Sequence, residues 1–254
     1  MSRILELYFY GVMDIKDKTI LITQDKDESE KLIELLEQDG AEFIFCPLEK
    51  YVSVENDQIQ ETLHNIDQFD NILYGNQRNA EFFFDHIYEE SILEKVLNRI
   101  NFALDQQTAN YLEERGVPAI TAAPNTEPID LVELMLRLGQ MGKSLYPCGK
   151  HFKEELPGFL FELSIECKEL ELYDKVGPSE QDLKRYRVVV NENQPDIVVF
   201  HNADSIRRIK IAFPDLKWDL IDKIAVNNKI ANKIQENGVN VDHVISFEEA
   251  EGIK

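Results

Sequence analysis

The sequence predicts an α/β protein of two similar lobes, each a parallel sheet flanked by helices, and three observations carry that prediction. The first is a duplication. Asp70-Asn71-Ile72-Leu73-Tyr74-Gly75-Asn76 leads into a helical stretch, and Phe102-Ala103-Leu104-Asp105 opens a second unit that runs to Gly116. In the second half Asp196-Ile197-Val198-Val199-Phe200-His201-Asn202 does the same, and Ile224-Ala225-Val226-Asn227 runs to Gly238. Residue 196 follows residue 70 by 126 positions and residue 238 follows residue 116 by 122, a near-constant spacing that marks an internal repeat. The second observation is the alternation of short β-rich runs with helically spaced ones, which builds parallel sheets covered by helices. The third is length, since 254 residues with 43% hydrophobic content supply two cores. Two lobes leave a cleft, where function is expected.

Taken in order, residues 19–23 read Thr-Ile-Leu-Ile-Thr and predict a strand. Asp27 and Glu30 follow at capping-box spacing, and Leu32, Ile33, Leu35 and Leu36 recur as one helical face until Gly40 ends the helix. Residues 41–46 form the next strand, stopped by Pro47. The second half opens alike, with a strand over residues 144–147, a helix from about 151 to 161 and a strand over residues 169–173. Further strands are predicted at 71–74, 101–104, 118–121, 197–200, 223–226 and 243–246, separated by helices. A helix over 129–138 has only the short tail 247–254 as its counterpart. Residues 46–49 and 172–175, again 126 apart, are the two points where the chain crosses between lobes.

The balance of 27 basic against 48 acidic residues gives a net charge of −21, which repels nucleic acid and anionic lipid at long range. A polyanionic ligand would need local donors such as helix N-termini. No apolar run is long enough to span a membrane, and Asp14, Lys16, Asp17 and Lys18 make the N-terminus a poor signal peptide. The three cysteines are odd in number and lack metal-ligand spacing, which points to a reducing cytoplasm with neither disulfide nor zinc site. The five histidines are scattered. No phosphate-binding glycine fingerprint is present, and no acidic residue follows the central strands as a phosphoacceptor would.

Ligands of parallel sheets bind beyond the carboxyl ends of the strands. The candidates there are Asn76, Thr108, His201, Asn202, Asn227 and Asn228. Each has a structural alternative: asparagine is a favoured helix N-cap, and Thr108 lies in the first turn after the capping residue Asp105. Tyr173 ends a strand, as a core edge residue or a proton donor. Cys148, with His151 three residues on, reads as a small loop residue or as a thiol at a helix N-terminus.

Together these pieces resemble the uroporphyrinogen-III synthase family across nearly the whole chain. The resemblance rests on the strand-helix opening of residues 19–40 and the proline-bearing crossing Phe45-Cys46-Pro47-Leu48. It continues through residues 70–80, the threonine-containing unit that ends at Gly116, Leu145-Tyr146-Pro147 and a crossing tyrosine. It implies two flavodoxin-like lobes joined by two crossing strands, residues 1–46 with 174–254 forming one and residues 47–173 the other. Residues 19–40 should then pack with the second half. The implied reaction closes hydroxymethylbilane with inversion of its last pyrrole ring and loss of water, by a cytoplasmic monomer without cofactor. The family's crossing tyrosine falls on Tyr173, as catalytic residue, and its first-lobe threonine on Thr108. Where many members have Thr-Ser after the central strands this chain has Tyr74-Gly75 and Phe200-His201, and Asn227 and Ile230 replace a glycine and a threonine. Those departures motivate an alternative, a catalytically degenerate member that binds tetrapyrroles or regulates.

Overall fold

Short apolar runs bounded by polar turns become the buried strands of two sheets. The computed structural model describes residues 8–9, 15–26, 29, 32–33, 36, 40–122, 127–151, 154–202 and 204–246. Its strands are β1 (Tyr8–Phe9), β2 (Thr19–Ile22), β3 (Glu42–Phe45), β4 (Lys50–Ser53), β5 (Asn71–Tyr74), β6 (Ile100–Ala103), β7 (Ala119–Ile120), β8 (Ser144–Gly149), β9 (Cys167–Val176), β10 (Ile197–Phe200), β11 (Asp222–Ala225) and β12 (His243–Ser246). Its helices are α1 (Asp57–His64), α2 (Gln77–Asp85), α3 (Glu90–Leu97), α4 (Gln106–Glu114), α5 (Pro128–Arg137), α6 (Glu155–Glu162), α7 (Glu180–Glu192), α8 (Ser205–Ala212) and α9 (Asn228–Glu236).

The chain divides into two units, Met1–Lys50 with Val176–Lys254, and Tyr51–Lys175. The first holds a sheet of order β1-β12-β11-β10-β2-β3, the second a sheet of order β4-β9-β8-β5-β6-β7. β2, from the N-terminus, pairs in parallel with β10, Leu21 lying opposite Val198. The five strands β3-β2-β10-β11-β12 thus follow the flavodoxin-like order 2-1-3-4-5. By the repeat, β9-β8-β5-β6-β7 is the same arrangement. β1 adds an antiparallel edge beside β12.

Each sheet is buried on both faces, which is why its central strands read as continuous apolar runs. In the first unit Leu21, Val198 and Phe200 join one core, while Ile20, Ile22, Ile197 and Val199 join the other. In the second, Ile72 and Tyr74 face one core and Leu73 the opposite one. Each large side chain so buried contributes roughly 1.5–3 kcal/mol.

The repeat extends to the helix ends. Asp105 caps α4 by accepting from Thr108 N at 2.7 Å, and Asn227 caps α9 by accepting from Ile230 N at 2.8 Å. Both helices stop at a glycine in the left-handed region, Gly116 at φ 76° and Gly238 at φ 75°, where a side chain would be strained.

Several elements differ from the sequence expectation. β8 continues to Gly149 through Pro147, tolerated because the β5 ladder reaches only Leu145. β9 is longer than residues 169–173, and its register with β8 slips between Cys148, opposite Glu171, and Gly149, opposite Tyr173. The extra residue lets Leu172 and Tyr173, neighbours in sequence, both enter the core that holds Leu170. The helix expected from about residue 151 starts at Glu155, after His151 has taken a left-handed conformation at φ 63°. Of the helix expected before Gly40, Leu32, Ile33 and Leu36 are helical and buried. Asp27, Glu30, Leu35 and the tail 247–254 lie outside the described residues. The short edge strands β1 and β4 carried no signal in the sequence pattern.

The discontinuous unit has a testable consequence. A fragment of residues 51–175 keeps its central strands β9, β8, β5, β6 and β7 and should unfold cooperatively in urea. A fragment of residues 176–254 lacks β2 and β3 and should show little amide protection in β10 until residues 1–50 are supplied. Hydrogen exchange on the two fragments checks both outcomes.

Candidate functional site

At the carboxyl end of the second unit's sheet, Asn76 follows β5 and caps α2, its side chain accepting from Asn79 N at 3.0 Å. That cap sets the first turn so that Asn79, with Ala80 and Phe83, lies on the buried face of α2. The Tyr173 hydroxyl donates to Asn79 Oδ1 at 2.6 Å, and Asn79 Nδ2 donates to Glu154, 3.3 Å from each carboxylate oxygen. The Tyr146 hydroxyl donates to Glu154 Oε2. Gly75 leaves room for this convergence, since a Cβ there would stand 2.6 Å from Glu154 Oε2 and nearer still to the Tyr146 hydroxyl.

The Tyr173 ring stacks on Phe82 at 4.6 Å and meets Tyr51 edge-on at 5.7 Å, while Arg78 lies 3.7 Å over the Tyr51 ring. Burial first, and then the Glu154 charge, raises the Tyr173 pKa; the same two causes raise that of Tyr146. Both hydroxyls are therefore protonated at neutral pH.

Thr108 stands apart from that network. It is fully buried in the first turn of α4, and its Oγ1 has no hydrogen-bond partner among the described residues. Its neighbour Gln107 reaches α2 through Gln77 Oε1 at 3.0 Å.

In the first unit Asn202 occupies the place of Asn76 but bonds differently. Asn202 Nδ2 donates to Glu49 Oε1 at 3.1 Å, and its Oδ1 accepts from the Ser205 hydroxyl at 3.1 Å. Ser205 is the repeat equivalent of Asn79. The buried Glu49 also pairs with Arg208, Oε2 to Nη1 at 2.9 Å. Removing Arg208 would leave the buried Glu49 carboxylate without its cation, at a cost of up to about 3–5 kcal/mol. His201, in the place of Gly75, is partly buried, and desolvation lowers its pKa to about 4. Its Nε2 has no hydrogen-bond partner among the described residues. Asn227 gives its side-chain oxygen to α9, and Asn228 is the exposed first residue of that helix.

Of the residues selected from sequence, Asn76 and Tyr173 are thus joined through Asn79. Thr108, His201, Asn202, Asn227 and Asn228 each serve other local surroundings. Glu154, Asn79, Tyr146, Glu49 and Arg208 lie outside the candidates that the sequence offers. Only Asn79 left a signal, as a polar residue on the apolar stripe of its helix. Cys148 is buried and its thiol is pushed up to about 12 by desolvation, which leaves it a packing residue rather than a thiolate nucleophile. Among the described residues no group of three or more His, Cys, Asp or Glu could hold a metal ion, and no helix is long and apolar enough to cross a membrane.

Comparison with known proteins matches residues 30–253 to the family model HEM4, uroporphyrinogen-III synthase HemD. The uroporphyrinogen-III synthase of Chlorobaculum parvum is 22% identical over 237 residues, covering 91% of this chain and 94% of that protein. The porphyrin biosynthesis protein HemD of Ruminiclostridium josui is 23% identical over 218 residues, covering 84% of this chain and 42% of its own length. Among solved structures, a mutant uroporphyrinogen III synthase from the extremely thermophilic bacterium Thermus thermophilus superposes with a TM-score of 0.62 at 16% identity, over 92% of this chain and 94% of that one. The uroporphyrinogen-III synthetase of Helicobacter pylori gives 0.61 at 14% identity, over 90% and 92%. At these identities the structural likeness concerns the fold.

Two expectations follow from the geometry. Gly75→Ala should lower stability by about 1–3 kcal/mol through overpacking against Tyr146 and Glu154, read as a lower thermal midpoint. His201, with a folded pKa of about 4 against 6.5 for the free side chain, binds its proton more readily in the unfolded chain. Its penalty is absent above about pH 6.5 and grows as pH falls toward 4. His201→Gln should therefore lose less of its urea midpoint than wild type between pH 7 and 4.5.

Proposed function

The chain belongs to the uroporphyrinogen-III synthase family, and we propose that it closes the linear tetrapyrrole hydroxymethylbilane to the type III macrocycle. The observation that carries this reading is the family match over residues 30–253, which spans both units. It is an enzyme of tetrapyrrole biosynthesis, a cyclising lyase. In the proposed reaction the substrate's C–OH bond breaks and the hydroxyl leaves as water with one added proton; the freed carbon bonds to the last ring in a spiro intermediate, that ring's bond to its neighbouring bridge carbon breaks and re-forms at its other α-carbon, and the proton there is released. No electrons are gained or lost, so the chemistry calls for no redox cofactor.

The substrate is already activated, so the protein's work is chiefly to hold one folded conformation against unguided closure. With a net charge of −21 the chain gives a polycarboxylate no long-range attraction. Holding then falls to short-range donors: the helix N-termini near Asp105 and Asn227, and the side chains of Asn76, Thr108, His201, Asn202 and Asn228. Near neutral pH His201 would act as a neutral imidazole. Tyr173, protonated at that pH, is the proposed aid to departure of the substrate hydroxyl, and a substrate using it must arrive beside Asn79 and Glu154. We extend the proposal to a cytoplasmic monomer; the free thiols of Cys46, Cys148 and Cys167 suit a reducing compartment.

Conversion of hydroxymethylbilane by the wild-type protein, with type III product separated from spontaneously formed type I, tests the proposal. Tyr173→Phe should lower turnover by about 10²–10⁴ with binding little changed, because the ring and its packing remain. Full turnover in that variant would remove Tyr173 from the mechanism. Thr108→Val keeps shape while deleting a hydroxyl that has no partner among the described residues. If substrate uses the hydroxyl, affinity should fall by about 0.5–1.5 kcal/mol. A variant with wild-type affinity and a raised melting temperature would make Thr108 a packing residue. A wild type that binds tetrapyrrole and yields no type III product would support the binding-module alternative.

A further inference from the structure

We propose that Glu154 is a positioning residue which, acting through Asn79, fixes the direction of the Tyr173 hydroxyl; its catalytic meaning rests on the synthase reading above. An asparagine side chain has one accepting end and one donating end, whereas carboxylate oxygens only accept. Asn79 presents Nδ2 to both oxygens of Glu154 and Oδ1 to Tyr173. Turned over, the amide would set its carbonyl against the carboxylate and its NH2 against the hydroxyl proton. Glu154 thereby selects one of two amide orientations, and that orientation makes Asn79 Oδ1 the resting acceptor of the Tyr173 proton, which holds the hydroxyl oxygen at one place until a ligand takes that proton over.

The rest of the surroundings holds Glu154 in that role. The Tyr146 hydroxyl donates to it from β8, and Gly75 leaves the space in which the two meet. Asn79 is held in turn by its own helix, whose first turn Asn76 caps at Asn79 N. The register slip in β9 and the stacking on Phe82 fix the Tyr173 ring. The hydroxyl torsion is the freedom these restraints leave, and the pair Asn79 and Glu154 removes it. A reaction that needs a hydroxyl oxygen at one place, with its proton ready to pass from Asn79 to substrate, gains from such a restraint.

The experiment is a kinetic double-mutant cycle with a spectroscopic arm, both on the full chain. Glu154→Gln keeps the shape, but its own NH2 lets the Asn79 amide sit either way. It should lower kcat by about 10- to 100-fold with KM within about threefold, the scale expected of misplacement in an otherwise intact site. In a Tyr173→Phe background the same substitution should change kcat less than about twofold, since no hydroxyl remains to orient. Tyr146→Phe removes the second partner of Glu154; it should give a smaller loss, likewise silent in the phenylalanine background, and serves if Glu154→Gln does not fold. Losses that multiply in the double variants would overturn the proposal. In the second arm, 13Cζ-labelled tyrosine and the Asn79 side-chain amide are followed by NMR without substrate. Glu154→Gln should move the Tyr173 and Asn79 resonances, and unmoved resonances would sink the proposal even if activity fell. A wild type without synthase activity would defeat the synthase reading alone, because the resonances still report whether Glu154 orients Tyr173.

Discussion

The pairing of β2 with β10 is the constraint on which the first unit depends. Parallel neighbours cannot be joined by a tight turn, so each must be reached by a crossover. Here the crossover leaves the unit altogether, and the chain runs through the whole second sheet between residues 20–22 and their partners, residues 197–199. The equivalent pair in the second unit, β5 with β8, is reached within one continuous stretch. Two sheets of the same strand order thus arise by different chain paths. In both, the central strands end together, and the helix starts that follow bring Asn76 and Asn202 to like positions.

From those like positions the two units diverge in chemistry. The second unit gathers two hydroxyls, an amide and a carboxylate around a glycine, each hydrogen bond having a defined donor and acceptor. The first places an ion pair, Glu49 with Arg208, against Asn202, and a histidine where the glycine stood. The first unit's carboxylate faces a guanidinium as an ion pair, whereas the carboxylate of the second unit is held by neutral donors. The two units share a scaffold and the caps at Asp105 and Asn227, while the polar groups around Asn76 and Asn202 differ.

Much of the fold was legible because its signals are local. Residues 71–74, 197–200 and 243–246 are strands with the boundaries read from sequence, and Asp105, Asn76 and Asn227 cap helices as asparagine and aspartate do. The edges were not legible: β1 has two residues, and β4 carries Lys50 and Ser53 at its exposed ends. The site was legible in part. Tyr173 was visible as a tyrosine at a strand end, but its partner Asn79 is 94 residues distant, and Glu154 another 75 from Asn79. Nothing in the residues around Glu154 tells which helix its carboxylate will meet. The slip that turns Tyr173 into the same core as Leu172 depends on β8, and periodicity along β9 alone would have set those two side chains on opposite faces.

A unit assembled from the two ends of a chain also has a history in time. During synthesis at about 5–20 residues per second, β2 leaves the ribosome on the order of ten to thirty seconds before β10 does. For that interval Ile20, Leu21 and Ile22, fully buried in the finished protein, have no native parallel partner on that side. The second sheet can condense meanwhile, being contiguous, and it does so while an apolar strand waits upstream. Such a strand is the kind of segment that chaperones hold and that aggregates recruit. Of the 177 positions from Ile20 to Ile197, 125 are those of Tyr51–Lys175, so the second unit acts as the main delay line for the first.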